Sequence, residues 1–213
     1  MSALASLAPL AQWAGIVLPT LYVGIATQDS VSVTNAAKIG TPDKLLAKQW
    51  LEIYRQGPFW VLPVVLSTLL SNGVLAYAQH VDGHNPARRN VYIAGAFAMY
   101  CIRFATMFIF EPGINGACKV KVERILVGDT EAVLSPASPD EKGTGTGTVV
   151  YEPLVGVKKG GIKIKHSATA ATRAWAERTD MSVLAVTWAR TNVLRCGIAL
   201  TSAALSGYAT LVM

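Results

Sequence analysis

The chain has 213 residues and a formal net charge of +6, with 52% hydrophobic residues against 15% charged ones. An ordinary soluble domain carries roughly a quarter charged residues, and the mean hydropathy of +0.37 departs in the same direction. The charges are excluded from four long stretches, which argues against a soluble core and for a polytopic membrane protein. With no nucleic-acid-binding motif beside it, the basic excess reads as attraction to lipid headgroups.

A helix crossing the hydrocarbon core needs about 20 mostly apolar residues, since each adds only about 1.5 Å of rise. No charged side chain precedes Asp29, and the first span is predicted at 9–27. A signal peptide would open on a basic segment, whereas the first Lys or Arg is Lys38, so this span is expected to be retained. Between residues 42 and 56, Leu46, Trp50, Ile53 and Tyr54 share one helical face, with Lys44, Lys48, Glu52 and Arg55 elsewhere. Capped by Thr41 and ended by Gly57 and Pro58, this segment reads as an amphipathic helix in the membrane interface. Its Gln49, Trp50 and Gln56 are candidates for the entry to a binding site.

The second and third spans are predicted at 57–79 and 91–110, the third interrupted only by Arg103. An ionisable residue within a span is costly and is expected to face the bundle interior. Arg103, Met107 and Glu111 are spaced four apart and stack on one helical face, with Asn115 nearby. Residues 111–127 continue this helix as a polar segment kinked at Pro112. The insertion at 128–165 is flexible by composition over much of its length, with a candidate hairpin between 149–151 and 161–166. From Ala168 the helical pattern is expected to run unbroken into a fourth span at 193–213. Trp188, Asn192 and Arg195 fall on one face of it. If the two faces meet, Glu111 and Arg195 pair near the membrane boundary with Asn115 and Asn192 beside them, as an interhelical clasp or as a site.

The fold predicted is all-α: a single domain, 1–213, forming an integral membrane four-helix bundle with an interfacial helix and a long cytosolic connection. Lys38, Lys44, Lys48, Arg55, Lys119, Lys121, Arg124, Arg178 and Arg190 flank the two odd-numbered connections, and only Arg88 and Arg89 fall on the other side. Both termini are therefore expected to be lumenal or outside. Cys101, Cys118 and Cys196 form no CxxC pair, which argues against thiol–disulfide chemistry. His80 and His84 lack a third ligand at matching spacing, so no metal is expected.

Two segments, Phe110–Lys119 with its Pro-x-x-Asn and Trp188–Arg195 with its Trp-x-x-x-Asn-x-x-Arg, resemble the four-span family of fungi and bacteria that includes the anthrone oxygenases. The insertion and residues 151–165 depart from that pattern. The resemblance implies oxidation of an anthrone-type polyketide to an anthraquinone by molecular oxygen, with no cofactor, in an endomembrane such as the endoplasmic reticulum if the cell is eukaryotic. Such chemistry needs a base, a donor for the enolate oxygen and a dry slot for a flat ring system. On this reading Arg195 and Asn192 are the enolate donors, His166 the base and Glu111 the next candidate. Asn115, Trp188, Met107, Arg103, Trp50, Gln56 and Gln49 would contact the lipophilic substrate. The alternative is a non-catalytic membrane scaffold, carrier or assembly protein.

Overall fold

A computed structural model describes residues 3–82, 85–127, 146–150, 161–165 and 167–213. Six α-helices account for most of them: α1 Ala3–Lys38, α2 Asp43–Asp82, α3 Pro86–Ala105, α4 Gly116–Val127, α5 Ala170–Arg178 and α6 Met181–Leu211. A π-helical segment, Thr106–Asn115, joins α3 to α4. A short antiparallel ribbon pairs β1 Thr146–Val150 with β2 Gly161–Lys165, Thr146 opposite Lys165 and Val150 opposite Gly161. His166, His84 and the greater part of the predicted insertion lie outside the described residues.

Three helical stretches, Ser6–Lys38, Asp43–Val81 and Pro86–Leu126, are long and apolar enough to cross a membrane. Helix α6 carries the fourth predicted span and is not among them. Arg195, Thr201, Ser202, Ser206 and two glycines, Gly197 and Gly207, lower its hydropathy.

The helix boundaries follow local chemistry and, besides the cap at Thr41, two breaks differ from expectation. Gly40, at φ +73°, ends α1 in a left-handed cap. The N–H of Thr41 reaches Ala36 O at 3.2 Å and that of Gly40 reaches Ala37 O at 3.4 Å, the Schellman pattern. Thr41 thus closes α1, while the Pro42 carbonyl accepts the first bonds of α2, from Leu45 and Leu46. Gly57 and Pro58 do not end a separate amphipathic helix, because α2 runs through both Pro58 and Pro63. Each proline removes one helical bond, and the apolar run around it carries the helix on. The second difference is a break after α5, where Thr179 is extended (φ −115°, ψ 136°) and Asp180 O accepts from Leu184 to start α6.

The chain divides into two compact units: Met1–Asp29, Gln56–Ala105 and Asn192–Met213 make one, Ser30–Arg55 and Thr106–Thr191 the other. The core of the first draws on four helical segments. Tyr22 and Ala26 pack with Val64 and Val65, Met99 and Ile102, Cys196 and Ala199, and a second group joins Ala11, Leu75, Ala76, Tyr92 and Ala209. Between these groups runs a buried polar seam. Ser206 donates to Asn72 Oδ1 at 2.8 Å, Ser202 donates to Gly95 O at 2.8 Å, and Asn72 Nδ2 donates to Thr68 O at 3.2 Å. A Cβ at Gly95 would lie 3.3 Å from Ser206 Oγ, so its lack of a side chain lets the seam close. The outward faces of this unit are apolar, with Phe59 84%, Leu70 69% and Phe97 65% exposed.

Candidate functional site

The second unit holds the densest polar cluster, built where the third long helix is interrupted. Pro112 cannot donate a helical bond and its ring crowds the preceding turn. The chain answers with a π-helical stretch and non-helical torsions at Gly113 (φ −94°, ψ −115°). Carbonyls exposed at this kink need partners. Ser167 Oγ donates to Glu111 O at 2.7 Å, and Thr172 Oγ1 donates to Pro112 O at 2.9 Å. The chain entering α5 is thereby bound along the kink. A Cβ on Gly116 would fall 2.8 Å from Glu111 O and 2.9 Å from Ala168 Cα, so this approach requires glycine.

The Glu111 carboxylate is the centre of the cluster. Its Oε1 accepts from Tyr54 Oη at 2.5 Å and from Asn115 Nδ2 at 2.9 Å. Its Oε2 takes the Lys119 ammonium at 2.6 Å and lies 3.1 Å from Ser167 Oγ. Lys119, 6% exposed, also sits 4.9 Å from the centre of the Tyr54 ring. Beyond Tyr54 the aromatic surface continues: Trp50 stacks on Tyr54 with centroids 5.0 Å apart, and Trp188 meets Trp50 edge-on at 6.0 Å. Trp50, Asn115 and Trp188 are buried, at 0%, 1% and 4% exposure. The indole N–H groups of both tryptophans and the Asn115 carbonyl oxygen have no hydrogen-bond partner among the described residues. Three such atoms in one connected cluster are a departure from the near-complete pairing of buried polar groups.

The predicted site residues divide accordingly. Glu111, Asn115, Trp50 and Trp188 belong to this cluster, with Gln49 half-buried on the same stretch of α2. Asn192 and Arg195 are buried in the other unit, where Arg195 Nη1 donates to Asn192 Oδ1 at 2.8 Å. Trp188, Asn192 and Arg195 are each buried. The cation paired with Glu111 within its own unit is Lys119. Arg103, Met107 and Gln56 are exposed, not interior. Neighbours of Arg103 at one helical turn, Tyr100 and Met107, are exposed with it, so that face of α3 turns outward. On the helix expected to lie in the interface, Leu46 and Trp50 are both fully buried within the protein. His166 lies outside the described residues.

Tyr54, Lys119 and Ser167 were not among the predicted site residues. Tyr54 was legible as part of the Trp50 face. Lys119 was not, because eight residues along an unbroken helix would carry it two turns away from Glu111, and only the kink brings it back. Among the described residues no three His, Cys, Asp or Glu side chains gather as a metal would require.

No family model, curated protein or solved structure matches the chain.

Proposed function

We propose that this is a multi-pass integral membrane protein, a bundle of four spanning helices, that binds a lipophilic aromatic molecule and oxidises it with molecular oxygen in the manner of the anthrone oxygenases. The observation that carries the reading is a carboxylate paired with a buried ammonium beside the wall of Tyr54, Trp50 and Trp188. Exposed apolar side chains on α6, among them Val193, Leu194, Leu200 and Leu211, support a fourth span despite its diluted hydropathy. Lipid would concentrate both the ring system and oxygen.

The chemistry balances without an added oxidant. The methylene of an anthrone loses a proton to Glu111 and becomes an enolate. The enolate carbon forms a bond to oxygen, and the peroxide takes up the proton. Loss of the second methylene hydrogen as a proton, with cleavage of the O–O bond, releases water and leaves the quinone carbonyl. Lys119 keeps the first step from creating an uncompensated charge. Before transfer it faces the carboxylate, and afterwards it is the counter-charge of the enolate in the same low-dielectric surroundings.

Glu111→Gln tests this. It preserves the shape and an acceptor while removing the base. We expect membranes containing the variant at normal abundance to form quinone from an anthrone at least about a hundredfold more slowly, the usual scale for losing a positioned general base. Turnover equal to that of the unaltered protein would overturn the assignment, as would wild-type activity abolished by a chelator and restored by a metal. A second reading also has an observation behind it. Tyr54, Asn115, Lys119 and Ser167 already engage both carboxylate oxygens, which suits a clasp in a non-catalytic scaffold. On that reading Glu111→Gln accumulates poorly, and no folded preparation oxidises an anthrone.

A further inference from the structure

The Glu111 reading provides a base and a counter-charge but leaves open what holds the oxygen of the ligand. Asn192 and Arg195, the donors implied by the family resemblance, bond each other. Within the Glu111 cluster, two other donors are in place. The indole N–H groups of Trp50 and Trp188 are buried with no partner among the described residues, and the rings touch edge to face at 6.0 Å. A buried N–H left without an acceptor costs about 1–3 kcal/mol, so two of them on touching rings of one cluster mark a place that an acceptor completes. The third unpartnered atom, Asn115 Oδ1, lies on the side chain whose Nδ2 donates to Glu111 at 2.9 Å.

We propose that Trp50 and Trp188 are the ligand-binding donors of this cluster, their indole N–H groups receiving a carbonyl or enolate oxygen of a planar aromatic ligand while their ring faces and edges pack its apolar body. The assignment rests on the proposed function for its ligand class, and it adds the recognition element: oxygen bonded to the ring system is required for tight binding, and the ring alone is not enough. Indoles suit the task because each brings a large rigid apolar surface and one donor, with no acceptor to repel an oxyanion.

The experiment uses the detergent-solubilised full chain and two non-oxidisable probes. Anthraquinone carries ring carbonyls, and anthracene is the same tricycle without oxygen. Binding is followed by quenching of tryptophan fluorescence. The unaltered protein is expected to bind anthraquinone about tenfold or more tightly than anthracene, the equivalent of one or two net hydrogen bonds. Trp50→Phe and Trp188→Phe keep an aromatic ring and remove the N–H. Each should weaken anthraquinone about five- to tenfold while leaving anthracene affinity within twofold, and the retained anthracene binding shows that the variant is folded. Equal weakening of both probes would make the tryptophans packing residues only, and no preference for anthraquinone in the unaltered protein would overturn the donor pair outright. The two readings fail separately. Selective anthraquinone binding without turnover of any anthrone removes the oxygenase and keeps the donors. Turnover that survives both substitutions, with both probe affinities unchanged, removes the donors and keeps the oxygenase.

Discussion

At the scale of single residues, the Glu111–Lys119 pair is the feature with the largest energetic consequence. The pair is 2.6 Å apart, and the side chains are 23% and 7% exposed. A well-buried charge that loses its partner costs on the order of 3 kcal/mol, whereas neutralising both members of a pair costs far less. Lys119→Met should therefore lower the thermal midpoint of the detergent-solubilised protein more than Lys119→Met combined with Glu111→Gln. A double variant whose loss equals the sum of the single losses would mean that the two groups do not act on one another. By contrast, the exposed Arg124–Glu177 pair between α4 and α5 should be worth little. Sequence spacing identified Glu111 and Asn115 correctly as neighbours, because four residues is one helical turn and the two bond at 2.9 Å. It failed for Arg103, which precedes the π-helical segment, and for Met107, which lies within it, because the wider π-helical turn shifts their face relative to that of Glu111.

At the scale of elements, the kink after α3 does what a straight helix cannot: it presents a carboxylate, an amide and an ammonium from residues 111, 115 and 119 to one place. Its geometry depends on the close passage of Ser167 and Ala168 beside Glu111 and Gly116. Gly116→Ala is expected to destabilise the protein by about 1–3 kcal/mol, the cost of overpacking, because the new methyl would strike backbone atoms of Glu111 and Ala168 within 3.0 Å. Gly73→Ala is the opposing control. That glycine lies inside α2 with nothing within 4 Å of the methyl that alanine would add, so alanine should stabilise the helix by up to about 1 kcal/mol. Thermal midpoints of the two variants should move in opposite directions, and a neutral Gly116→Ala would show that the approach of residue 168 is not tight. The kink at Pro112 was readable from the sequence, as was a ribbon between residues near 149 and 161. Its consequence was not, since proline announces a break in hydrogen bonding but not the direction in which the chain leaves.

At the scale of the whole molecule, hydropathy located the long helices, while the seam that joins three helical segments of one unit was silent in the sequence. Asn72, Ser202 and Ser206 are individually unremarkable among apolar neighbours, and their significance lies in meeting across helices at 2.8 Å. Between helices in a membrane such contacts and close packing would replace the hydrophobic effect as the source of cohesion. Charge placement remains the guide to orientation. By the rule that basic residues near the ends of apolar stretches stay cytosolic, Lys38, Lys44, Lys48 and Arg55 together with Lys119, Lys121, Arg124, Arg178 and Arg190 would lie on that side, against Arg88 and Arg89 on the other. With four spans, the C-terminus is expected on the side opposite Lys38. If α6 did not cross, three spans would return the C-terminus to the same side as Lys38. Single cysteines at Lys38, which is exposed, and at Met213 distinguish these cases in a background where Cys101, Cys118 and Cys196 are replaced by serine or alanine. In sealed vesicles with the cytosolic face outward, an impermeant maleimide should label position 38 directly and position 213 only after detergent. Labelling of both without detergent would reject the fourth span, and labelling of 213 alone would keep four spans but invert the molecule.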